Sequence, residues 1–165
     1  MGKAVDILLV VLLIAVVSIG VGMFLPRSKD NKNVSQFVET KEAVFKFSKL
    51  NIPNLSMEQQ ISIDNLPYDL KFLIQEKSAD LKLKEATFES GKKGYVIEFQ
   101  MPFTLGYTDD LYRSLIVRNG WQLVAAAHAD IYNFIEAHSL KYDIRIEGQK
   151  IDESNTKLRI IIMEA

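Results

Sequence analysis

Cysteine is absent from the chain. That excludes disulfide staples, thiolate nucleophiles and cysteine-ligated zinc or iron–sulfur centres. Histidine is almost as scarce: His128 and His138 are the only two, so any imidazole chemistry rests on them. Neither sign of charge dominates. Lys and Arg number 20 against 21 Asp and Glu, a formal net charge of −1. Nucleic-acid binders usually concentrate a basic excess on one face, so nucleic acid is not an expected partner. The sequence holds no G-x-S-x-G elbow, no H-E-x-x-H helix and no dinucleotide fingerprint. No cofactor and no metal site are expected.

Charge is missing altogether from one stretch, Ile7 to Leu25 (ILLVVLLIAVVSIGVGMFL). As a helix rising ~1.5 Å per residue it reaches about 28 Å, close to the thickness of a bilayer's hydrocarbon core. Lys3 and Asp6 bound it on one side, and Pro26, Arg27, Lys29 and Asp30 on the other. We therefore expect a transmembrane anchor over residues 1–26, a polar tether over 27–42 and a soluble domain over 43–165. The rival is a cleaved signal, with Ser18 and Gly20 as the small residues before a cut. A weak positive n-region and apolar residues running on to Leu25 favour retention. Ala15, Ser18 and Gly22 share one helical stripe that lets a second helix approach closely in lipid, through self-pairing or another subunit. Basic residues after the span pull the domain towards the cytoplasm. A six-residue leading tail pulls it the other way, and the exported face is slightly favoured.

Downstream, apolar residues alternate in period two. Phe45 and Phe47, Ile61 and Ile63, and Leu70, Phe72 and Ile74 each predict a strand. Leu81 and Leu83 followed by Ala86 and Phe88 change phase near Glu85, which predicts a bulge. Gly91-Lys92-Lys93-Gly94 reads as the hairpin turn into Tyr95, Ile97, Phe99 and Met101; it lacks the spacing of a nucleotide loop. Thr108 is the expected N-cap of a helix carrying Asp109 and Asp110 in its first turn, with Asp109 and Arg113 paired at i,i+4. Val124, Ala127, Ile131, Phe134 and Ile135 keep a 3.6 period and predict a second helix over 121–138. The competing reading makes Asn119-Gly120 a type I′ hairpin between two strands. Two antiparallel strands, through Tyr142–Glu147 and Leu158–Ile162, complete the pattern. The expected fold class is α+β: an N-terminal transmembrane helix, then a mostly antiparallel sheet covered on one face by a helix pair.

Candidate chemistry is sparse. On one helix His128 and His138 would lie ~15 Å apart in rise, too far to share a metal. They read as packed or groove-edge histidines, with a pH-sensitive contact as the functional alternative. Asp109 and Asp110 diverge on a helix and read as helix-start residues rather than a catalytic pair. Phe103, Tyr107, Tyr112, Arg113, Arg118 and Trp121 combine aromatics with arginines, the residue types that anchor interfaces. Core or rim packing is the simpler reading of the aromatics; if the domain has a contact surface, these residues are the expected one. The leading functional expectation is a membrane-anchored, non-catalytic accessory or scaffold subunit of a membrane-associated complex. Its partners would be membrane lipid through residues 7–25, other membrane or envelope proteins, and a homo-oligomer. A tethered domain binding a lipid or small apolar ligand is the alternative, and a hydrolase or transferase the second alternative.

Overall fold

Seven antiparallel strands form a single sheet that is covered by different elements on its two faces. The computed structural model describes residues 29–165. The apolar run of residues 7–25, with Ala15, Ser18 and Gly22, lies outside them. No helix among the described residues is long and apolar enough to cross a membrane. The elements in chain order are α1 (Lys29–Phe45), β1 (Leu55–Gln60), two 3-10 helices (Ile63–Asn65 and Tyr68–Leu73), β2 (Ala79–Phe88), β3 (Lys93–Met101), α2 (Leu105–Arg118), β4 (Gln122–His128), β5 (Tyr132–His138), β6 (Tyr142–Lys150) and β7 (Thr156–Glu164). In space the strands run β1-β2-β3-β7-β6-β5-β4. All six pairings are antiparallel. The mostly antiparallel α+β class expected from the sequence is the class observed.

On the first face, alternate residues Ile97, Phe99 and Met101 of β3, Leu158, Ile160 and Ile162 of β7, and Ile144 and Ile146 of β6 pack against Tyr112 and Ile116 of α2. Leu66, Leu70 and Leu73, from the second 3-10 helix and the turn before it, complete this core. Each such aliphatic side chain contributes ~1.5–3 kcal/mol when fully buried. The second face carries two smaller clusters. Val44 of α1 packs on Tyr132 and Phe134 of β5. Ile52 and Leu55 pack on Phe88, Ile161 and Met163.

Two covered faces explain where pattern and structure part. The second helix expected over 121–138 is the β4–β5 hairpin. β5 is buried on both faces, so YNFIEAH carries bulk at nearly every position and loses the alternation of a half-exposed strand. Alanine's helix preference in β4 is overridden because Ala125 and Ala127 lie on the α1 side and Ala126 against the opposite core. The Asn119-Gly120 pair is no type I′ hairpin either. It ends α2, with Gly120 at φ 77° and Trp121 N–H donating back to the Ile116 carbonyl at 3.1 Å. The helix starts earlier than expected: Thr104 is the N-cap and its hydroxyl accepts from Tyr107 N–H, while Thr108 is buried inside the helix.

Other expected strands are displaced. Phe45 ends α1 and Phe47 follows in a turn, and the stretch read as a tether is helical from Lys29. Leu70 and Phe72 lie in a 3-10 helix, and Ile63 in the other. The expected bulge at Glu85 is absent: β2 pairs with β3 without a shift from Lys82 to Thr87. Leu83 serves the first face and Phe88 the second, so both are buried without an extra residue.

Candidate functional site

Tyr107, Leu111 and Leu115 recur at four-residue spacing along α2, forming one stripe on its surface. Facing this stripe, the chain from the second 3-10 helix to β2 supplies Phe72, Ile74, Gln75, Glu76 and Lys77. Between them runs an open groove of about 500 Å³, which Phe103 also lines. The Phe103 and Tyr107 rings lie 4.7 Å apart, and Lys77 Nζ stands 5.5 Å above the Phe103 ring. Tyr107 is 54% exposed. The groove thus combines half-buried Phe72, Ile74, Leu111 and Leu115 with exposed Glu76 and Lys77, a composition that suits docking of apolar side chains.

The structure divides the six residues of the expected interaction surface. Phe103 and Tyr107 meet in the groove. Tyr112 is buried, its hydroxyl donating to the Leu73 carbonyl at 2.7 Å, and burial pushes its phenol well above the ordinary tyrosine range. Trp121 is 9% exposed, stacked on Tyr142 and edge-on to Phe72. Both are core residues rather than contact residues. Arg113 is half-buried and bound to Asp109 Oδ2 at 2.6 Å, as the i,i+4 spacing predicts. Arg118 is exposed in the last turn of α2. Phe72, Ile74, Leu111 and Leu115 were not among the expected contacts. The 107/111/115 stripe exists because the helix starts at Leu105; with Thr108 as the expected N-cap, Tyr107 falls outside it. The opposing wall was hidden because Leu70, Phe72 and Ile74 alternate like a strand.

Asp109 does not cap α2. Its carboxylate accepts from Arg113 and from the Asn133 side-chain amide at 2.8 Å, which ties α2 to β5. Asp110 is exposed, so the two aspartates form no pair. The two histidines stand at opposite ends of the β4–β5 hairpin, both exposed. His138 Nδ1 lies 2.7 Å from Asp143 Oδ1, its direct cross-strand neighbour on β6. The nearby Ser139 hydroxyl is occupied by the turn, accepting from the amides of Lys141 and Tyr142. Histidine and carboxylate therefore meet here without an available nucleophile. Among the described residues no group of three or more His, Asp or Glu side chains is arranged to hold a metal ion.

The second face holds a buried ionic lock. Glu136 is fully buried and accepts from Arg145 Nε and Nη2, from Ser48 Oγ and from the amides of Lys49 and Leu50. Burial alone raises its carboxyl; the bonds from Ser48, Lys49, Leu50 and Arg145 outweigh burial and hold it below the ordinary value. Arg145 also stacks over Phe45 at 4.9 Å. This cluster fastens the chain that leaves α1 onto the sheet, and every group in it is satisfied. Its arrangement is structural.

The chain matches no protein-family model, no curated protein and no solved structure.

Proposed function

We propose that this chain is a membrane-anchored, non-catalytic accessory or scaffold subunit that holds a partner protein through the groove between α2 and the segment Phe72–Lys77. The anchor is the uncharged run Ile7–Leu25. The observation that carries the reading is the groove: in it, aromatic and aliphatic side chains stay accessible while Tyr112 and Trp121 are consumed by the core. Half-buried apolar side chains beside exposed charged ones suit a segment of protein chain that buries a few anchoring side chains. Asp109 is bound to Arg113 and Asn133 while Asp110 is exposed, so the two aspartates offer no acid–base pair.

A photo-crosslinking residue in place of Tyr107, expressed in the full chain in native membranes, tests this. A discrete adduct with another envelope protein is the expected result, with none from the same residue at Lys92 on the β2–β3 turn. Equal or absent adducts at both positions refute the groove as a contact surface.

A further inference from the structure

The second sheet face contains a recess, separate from the groove, that contact with a partner does not explain. It is lined by Phe37 and Lys41 of α1, Glu98 of β3, Tyr132 of β5, Glu147 of β6, and Lys157 and Arg159 of β7. Its volume is about 220 Å³, the liquid share of roughly seven water molecules at ~30 Å³ each.

Two donor atoms there are buried and meet no partner in hydrogen-bond geometry among the described residues: the Tyr132 hydroxyl, beside the Glu147 carboxylate but not bonded to it, and Arg159 Nε. Tyr132 itself is 1% exposed. Arg159 Nε lies 3.4 Å from Glu98 Oε1, near enough for ion pairing but out of line for a hydrogen bond. Buried donors are seldom left unmet, since each forfeits its hydration without a replacement bond.

Charge narrows what meets them. Lys41 pairs with Glu147 at 3.2 Å, and Arg159 pairs with Glu98. Lys157 has no ion-pair partner among the described residues. The residues lining the recess therefore carry two donors unmet in hydrogen-bond geometry and one positive charge without an ion-pair partner among the described residues, beside Phe37. A doubly charged phosphate would leave negative charge unmatched beside Glu98 and Glu147. A singly charged carboxylate matches the count, with its apolar part against Phe37.

We propose that the recess beneath α1 binds a small monocarboxylate, whose oxygens accept from Tyr132 and Arg159 and whose charge is balanced by Lys157. The volume restricts it to a compact acid, well short of a drug-sized ligand. The site is independent of the groove and stands or falls separately from it.

The test is an NMR titration of the full chain in detergent micelles, following the Arg159 Nε–H resonance with benzoate, acetate and inorganic phosphate as probes. The expected result is a saturable shift with benzoate or acetate and a weaker response to phosphate. Tyr132→Phe keeps the ring and removes the donor. Lys157→Gln removes the charge at an exposed position, where folding is not at stake. Each variant should weaken binding about tenfold, the equivalent of one lost bond of ~1.4 kcal/mol. Lys77→Gln, in the other groove, should leave binding unchanged. Three outcomes overturn the proposal: no saturation with either carboxylate, saturation with phosphate alone, or equal affinity in Lys157→Gln and the unaltered chain.

Discussion

Glu136 and Arg145 sit directly opposite one another on β5 and β6, joined by bonds of 2.9 and 2.7 Å in a region where their side chains are 0% and 12% exposed. Arg145 reaches past the carboxylate to Ser48 Oγ and the Leu50 carbonyl. One cross-strand pair thus holds both the sheet and the chain descending from α1.

Arg145→Met leaves Glu136 as a buried carboxylate without its counter-charge. The expected cost is about 3 kcal/mol, at the lower edge for a broken buried pair because three other donors remain. Adding Glu136→Leu removes both charges and should recover part of the loss. Urea unfolding followed by fluorescence of Trp121, the one tryptophan, measures both. A double variant less stable than Arg145→Met alone would refute the account.

The same carboxyl predicts an acid limit. Its pKa in the folded chain is below the unfolded value of about 4.3. The stability it contributes is therefore fully present above that value and is lost as pH falls through the lower, folded pKa. Unfolding curves collected downward from pH 5 should show stability falling, with a shallower fall in Glu136→Gln. Identical pH slopes in the two proteins would assign the acid sensitivity elsewhere.

Two glycines should differ in their tolerance of alanine. A Cβ on Gly94 would collide with the Ile162 backbone carbonyl on β7, which cannot move without breaking the β3–β7 ladder. A Cβ on Gly148 meets the end of the Asn133 side chain, which can rotate at the expense of its bond to Asp109. Gly148→Ala should cost ~1–3 kcal/mol, the ordinary range for overpacking. Gly94→Ala should cost more and reduce soluble yield of the folded domain. Denaturation midpoints rank them, and the reverse order would contradict the packing described.

Because the chain lacks cysteine, one introduced thiol reports the side of the membrane without background. Lys92 is exposed at the β2–β3 turn, so Lys92→Cys leaves the core untouched. With the domain exported, a membrane-impermeant maleimide labels it in intact cells. Labelling only after lysis would place the domain in the cytoplasm.

The legible parts of the sequence were those in which charged residues alternate with the first-face core, whether or not the second face is covered. β2, β3, β6 and β7 alternate because charged residues such as Lys82, Glu98, Arg145 and Arg159 interleave with the first-face core. β5 was illegible because Tyr132 and Phe134 fill its second face under α1, and nothing in YNFIEAH announces a helix ninety residues earlier in the chain. The error had a local cause too: Ile131, Phe134 and Ile135 fit a 3.6 period by accident of a doubly buried strand. Leu70, Phe72 and Ile74 misled in the opposite sense, since alternation in a short 3-10 segment mimics a strand. In the groove, Tyr107 and Phe103 were found from residue type alone. Tyr112 and Trp121 fall to core packing, the simpler of the two readings, and residue type alone could not separate them from Phe103 and Tyr107 because aromatic residues serve cores and interfaces equally well. The recess beneath α1 left no mark in the sequence, since Tyr132, Lys157 and Arg159 converge only through the β5-β6-β7 register.

The place of β7 has a consequence for biosynthesis. It follows every other strand in chain order yet lies between β3 and β6. Until a ribosome releases it, the hairpin side and the β4–β6 side have no shared ladder, and each exposes an unpaired inner edge. The nascent domain waits as two open half-sheets, the stage at which a chaperone would have most to protect.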